Sequence, residues 1–129
     1  MSKAERIELR ARDLLPGLKA DAAILTAAPW PTVPGSLPTC GQYWVDELTA
    51  FLGPIAEPLG PYIWKAGDGV RFDVDTVGAK VEFHPDGITP ASFVTDFGEP
   101  GLVEHVLERY LLLEPNWYLA WYSVVDLPK

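Results

Sequence analysis

Basic residues are scarce in this chain. Ten Lys and Arg stand against 18 Asp and Glu, a net charge of −8, and no basic side chain occurs between Ala20 and Trp64. The imbalance is uneven. Residues 1–39 carry five basic and four acidic side chains (+1), whereas residues 40–129 carry five basic and fourteen acidic ones (−9). A body of that sign repels nucleic-acid phosphates and anionic lipid, so neither is expected as a partner, and it attracts a basic protein.

Cysteine is nearly absent. The single Cys40 excludes an internal disulfide and suits a reducing compartment. It follows Pro38-Thr39 and precedes a predicted helix, where a thiol can be acidified. A nucleophilic thiol needs a histidine base, which nothing in the spacing supplies; an inert small hydrophobe is the simpler reading. Histidine is limited to His84 and His105, too few for a zinc site, so no metal or cofactor is expected. Gly67-Asp68-Gly69 lacks the spacing and lysine of a phosphate loop. No apolar run approaches the roughly 20 residues of a membrane span. The charged N-terminal stretch does not resemble a signal peptide, so a cytoplasmic location is expected.

What the chain does have is hydrocarbon. Of 129 residues, 48% are hydrophobic and 12% aromatic, with five tryptophans, enough for one domain over 1–129 with a true core. Gly69 to His84 is the clearest element. Val70, Phe72 and Val74 alternate with Arg71, Asp73 and Asp75; after a glycine turn, Ala79, Val81 and Phe83 alternate with Lys80, Glu82 and His84. This predicts a hairpin with one buried face and one polar, outer face.

Ser2 to Leu15 predicts a helix opened by a Ser2/Glu5 capping box and interrupted at Pro16-Gly17. Ala20 to Ala28 leans to a short second helical run, and the prolines of residues 29–41 predict a loop. Gln42 to Leu52 has a broad apolar helical face. Tyr62–Trp64 and Ser92–Thr95 read as short strands. Pro100 in a first-turn position and the stripe Leu102, Val103, Val106, Leu107, Tyr110 and Leu111 predict another helix, ended by Glu114-Pro115-Asn116. Trp117 to Leu127 reads as a final strand, apolar on both faces and therefore central or partner-facing. The expected fold is α+β, an antiparallel sheet of about four strands with helices packed on one face.

Three groups of residues invite a chemical reading. His105 and Glu108, three apart on the predicted helix, would be surface neighbours, yet one such pair makes neither a metal site nor an acid–base centre. Asp73, Asp75, Glu82 and Asp86 can gather on the outer hairpin face. Arg71 and Lys80 share that face, so cross-strand ion pairs are the plainer account. Trp117, Tyr118, Trp121 and Tyr122 are residue types favoured at binding hot spots and also good sheet core; about half are expected in each role.

The acidic body, the α+β order, the Leu102–Leu113 segment and the aromatic Trp117–Val125 segment together resemble the small, acidic, single-domain immunity proteins of bacterial polymorphic toxin systems. That resemblance implies a non-catalytic, bacterial, toxin-inhibiting domain that occludes a basic protein partner. Asp73, Asp75, Glu82, Trp117 and Trp121 are the candidate partner-binding residues, inferred from charge and residue type. The alternatives are a small ligand-binding or enzymatic α+β domain, with His105 or His84 at the polar centre of a pocket between sheet and helices, and a homodimer formed through the last strand.

Overall fold

In the computed structural model a 24-residue helix, α1 (Lys3–Thr26), lies on an antiparallel sheet of seven strands among the described residues. The structure describes residues 1–27, 42–44, 46, 49–50, 62–74, 78–96 and 101–127. The strands are β1 (Gln42–Trp44), β2 (Tyr62–Ala66), β3 (Gly69–Asp73), β4 (Ala79–Phe83), β5 (Phe93–Asp96), β6 (Leu102–Glu114) and β7 (Trp117–Asp126), in the order β1-β2-β3-β4-β7-β6-β5. The architecture is therefore helix on antiparallel sheet, with seven strands where about four were expected. No described helix is long and apolar enough to cross a membrane.

α1 begins as its first residues dictate. Ser2 Oγ accepts from the Glu5 backbone N–H at 3.1 Å and Glu5 reaches back to the Ser2 N–H, so two donors that lack a helical partner are satisfied. The helix then runs through Pro16 instead of breaking there. An interior proline removes a backbone hydrogen bond and crowds the preceding turn, at a cost of about 3 kcal/mol. Burial offsets it: Ile7, Ala11, Leu15, Leu18, Ala22 and Leu25 form one stripe at the helical repeat, on both sides of Pro16, and all are buried against the sheet. Lys19 adds an ion pair at 2.6 Å to Glu114 of β6.

The expected β3–β4 hairpin forms, in a register that sets Arg71 opposite Glu82 and Asp73 opposite Lys80. Its apolar face, Val70, Phe72, Val74, Ala79 and Val81, meets α1. Gly78 makes the turn possible. Its φ is +95°, and a Cβ there would lie 2.3 Å from the Tyr122 carbonyl oxygen, so a side chain would be strained and would push β7 away.

One predicted helix is replaced by a strand and another is shown only in part. Residues 102–114 are β6, paired along their length with β7. A register shift between Leu107 and Arg109 makes Glu108 an extra residue, so Leu107 and Tyr110 share a face although three apart. A bulge thus imitates the i, i+3 spacing of a helix. Pro115-Asn116 does not end a helix but turns a hairpin, with proline's fixed φ followed by Asn116 at φ +71°. His105 and Glu108 are therefore not helical neighbours. In the predicted Gln42–Leu52 helix, Gln42–Trp44 is β1; only Asp46, Thr49 and Ala50 among the other residues are described, and these are helical. The predicted loop at 29–41, and Cys40 with it, lies outside the described residues.

Candidate functional site

The second face of the sheet is the unusual one. Direct cross-strand partners share a face, so the registers place Trp64, Arg71, Glu82, Tyr118 and Leu112 in one row. Asp73, Lys80, Ala120 and Tyr110 form the next row, with Tyr122, Leu107, His105 and Phe93 beyond. No described helix covers this face, yet Arg71, Lys80, Glu82, His84, Thr95 and His105 are all buried. The sheet covers it by curling. β2 and β5 are five strands apart in the sheet order, about 24 Å if flat. The Trp64 ring of β2 nevertheless lies 6.0 Å from that of Phe93 on β5 and 5.1 Å from that of His105 on β6. β2, next to one end of the sheet, thus meets β5 at the other end inside the curl.

Glu82 is the hub, with no exposed surface. Its Oε1 accepts from Arg71 Nε at 3.1 Å and is 2.7 Å from His84 Nε2, and its Oε2 accepts from the Tyr122 hydroxyl. Arg71 also donates to the Lys65 carbonyl at 2.8 Å and lies over the Phe93 ring at 4.0 Å. Lys80 pairs with Asp73, whose other oxygen accepts from Trp64 Nε1 at 3.0 Å, and the Lys80 ammonium lies over that indole. Burial, then the neighbouring Glu82 carboxylate, pushes the Tyr122 phenol above its ordinary range, so it stays a donor.

His105 stacks on Phe93 at 4.4 Å, nearly parallel, and shares a hydrogen bond with Thr95 Oγ1 at 3.2 Å. Burial, followed by the nearby Lys80 charge, lowers its pKa to about 4, so it is neutral near pH 7. The two histidines therefore occupy one face, linked through Glu82, Arg71 and Phe93. The expected cross-strand ion pairs are present, but the face that carries them is interior.

This placement corrects the candidate contact residues. Glu82 and Trp117 are buried and unavailable to a surface partner, and Asp73 is engaged with Lys80 and Trp64. Trp121 is half-buried on the helix side beneath the Arg109 guanidinium, 4.1 Å from its ring. Asp75 lies outside the described residues. Trp117 and Tyr122 are core, whereas Tyr118 and Trp121 are partly buried, Trp121 against the core under α1. β7 is central, between β4 and β6.

Residue-type arguments missed the exposed apolar side chains. Five of the eight large ones among the described residues, Leu102, Tyr110, Leu112, Val124 and Val125, are on β6 and β7, with Tyr110 44% and Leu112 55% exposed. Tyr110 meets Tyr118 edge to face at 5.7 Å, and Tyr118 in turn meets His84. The helical reading of residues 102–113 placed Leu102 and Tyr110 on a buried stripe and concealed their exposure. A groove of about 470 Å³ beside Pro16 is lined by Arg12, Leu15, Lys19 and Glu114. Its cations are already paired, Arg12 with Glu8 and Lys19 with Glu114. Among the described residues no three His, Cys, Asp or Glu side chains are grouped to hold a metal ion. No family model, no curated protein and no solved structure matches the chain significantly.

Proposed function

We propose that the chain is a non-catalytic protein-binding domain, an immunity-type inhibitor that occludes a basic protein partner. One contrast carries the reading. The described charges inside the curl are engaged with one another, and no buried side-chain nitrogen or oxygen among the described residues lacks a hydrogen-bond partner, whereas exposed apolar side chains concentrate on β6 and β7. A group that performs chemistry must be free to meet a substrate; a surface that binds protein needs apolar anchors within a polar rim.

The rim is acidic. Burying Arg71 and Lys80 with Glu82 and Asp73 removes two charges of each sign, so the surface keeps the excess of acid. Asp86, Glu108 and Asp126 are exposed near the β6–β7 ribbon or at its ends. Such a surface speeds encounter with a basic protein, and Tyr110 and Leu112 supply anchors.

The test is titration calorimetry against a basic, toxin-like protein encoded beside this one. A stoichiometric complex is expected, weakening as salt rises. Leu112→Asp should lower affinity at least about tenfold while changing unfolding stability by no more than about 0.5 kcal/mol. Affinity indifferent to both salt and Leu112→Asp would sink the reading. A small-ligand role has one observation in its favour, the convergence of His84, Arg71 and Tyr122 on Glu82. A large thermal shift with one member of a metabolite and metal panel, lost in His84→Ala, would favour it.

A further inference from the structure

Among the described residues, strand pairing covers only part of the outer edge of β6. β5 pairs with β6 from Asp96 opposite Leu102 to Phe93 opposite His105. Beyond that point β6 continues to Glu114 with β7 on one side and, among the described residues, no strand on the other. The margins of this gap are closed by side chains. The Leu107 N–H donates to Ser92 Oγ at 2.8 Å, and the Leu113 carbonyl accepts from Arg12 at 3.5 Å. Between them, Glu108, Arg109, Tyr110 and Leu112 are exposed. An uncovered strand edge is a template for another strand.

Two features restrict what fits. The register shifts at Leu107/Arg109 and Leu112/Glu114 bracket the regular run Arg109–Leu112, and bulges interrupt edge pairing. The accessible edge therefore suits a short extended segment better than a long sheet-to-sheet seam. Charge supplies the second restriction. Glu104 and Glu108 stand along β6, while the Arg109 guanidinium is drawn onto Trp121. A second copy would bring together two bodies of net charge −8, which repel; a basic segment is attracted.

We propose that the outer edge of β6, over Glu108–Leu112, takes up an extended basic segment of the partner protein as an added strand, with Tyr110 and Leu112 flanking its apolar side chains. The proposal rests on the protein-binding reading above and adds the mode of binding to it. Its probes are the peptide Ac-KVKVKVK-NH2, a version N-methylated at alternate backbone nitrogens, and the acidic counterpart Ac-EVEVEVE-NH2, each titrated to millimolar concentration. Amide hydrogen exchange is followed by NMR on the intact chain.

The basic peptide should slow exchange of those Glu108–Leu112 amides that face away from β7 by about tenfold, the N-methylated peptide should not, and Glu108→Lys should weaken binding roughly threefold. If the N-methylated peptide binds equally well, strand addition is overturned while the protein-binding reading stands. If the acidic peptide protects as well as the basic one, the preference for a basic partner fails in both. Protection of these amides without peptide, rising with protein concentration together with the molecular mass, would make a second copy the occupant and overturn the proposal.

Discussion

The two faces of this sheet are buried by different means. The face formed by Ile63, Phe72, Val81 and Leu119 is apolar and lies under α1. The opposite face carries Arg71, Glu82, Lys80, Asp73, His84 and His105, and the sheet's own curl encloses it with Trp64, Phe93 and Tyr122. On the first face, burial is its own reward, because removing hydrocarbon from water is favourable and needs no particular geometry. On the second, each charge loses its hydration and is tolerated only with a partner in place. One face should therefore yield gradually to substitution. The other should fail when a partner is lost and recover when both partners go.

The largest effect is expected at the hub. Glu82→Leu leaves Arg71 buried without its carboxylate and should cost about 3–5 kcal/mol in urea unfolding. Arg71→Met combined with Glu82→Leu should recover most of that loss, since the uncompensated charge is then gone. A single variant within about 1 kcal/mol of the parent would show that the polar face is not organised by this pair.

On the helix face, Leu18→Ala should cost about 3 kcal/mol through lost burial and the cavity left behind. Here no second substitution on the sheet should restore it, because no partner has been stranded. Rescue by a charge change nearby would erase the contrast between the faces.

The smallest and most graded effect concerns pH. His105 is held neutral, with its pKa lowered to about 4, whereas in the unfolded chain it takes a proton near pH 6.5. Between those values the unfolded state binds the extra proton. The contribution of His105 to stability is thus complete above about pH 6.5 and lost as the pH falls towards 4, by at most about 1.4 kcal/mol per pH unit. Unfolding curves from pH 7 to 4 for the parent and His105→Phe check this; the slope should be shallower in the variant. Parallel slopes would remove His105 from the acid sensitivity of the polar face.

Much of the helix face was legible in the sequence because its signals are local. The capping box at Ser2 and Glu5, the alternation of Val70 to Val74 and Ala79 to Phe83, and the β-rich run from Trp117 each depend on neighbours a few residues away. Pro16 was misread since its local cost is real, and only the burial of Leu18, Ala22 and Leu25 beyond it offsets that cost. Residues 102–114 were misread for a related reason. Leucine, glutamate and arginine favour helices locally, a bulge disguises the strand period, and the deciding partner, β7, contributes cross-strand contacts that a local pattern does not contain.

The candidate site was less legible still. That Arg71 and Lys80 share a face with Asp73 and Glu82 follows from hairpin alternation, and cross-strand ion pairs were expected there; which residues pair is set by the register. Their burial was not, because the alternation of a strand says which residues share a face but not whether that face meets water. Glu82 and Trp117 were therefore chosen as contacts when both are interior, and Leu102 and Tyr110 were assigned to a buried stripe when both are exposed.

By itself the sequence determined the start of the helix, the two faces of the central hairpin, the acidic balance and the apolar character of the last strand. These follow from dihedral preferences, hydropathy period and charge, which act over a turn or two of chain. Tertiary structure alone decided that the sheet curls, that its polar face becomes an interior of matched charges, and that residues 102–114 form a strand paired with β7. Those outcomes depend on residues distant in the chain, such as Trp64 and Phe93, meeting inside the fold, where the free energy of burial depends on which groups arrive together.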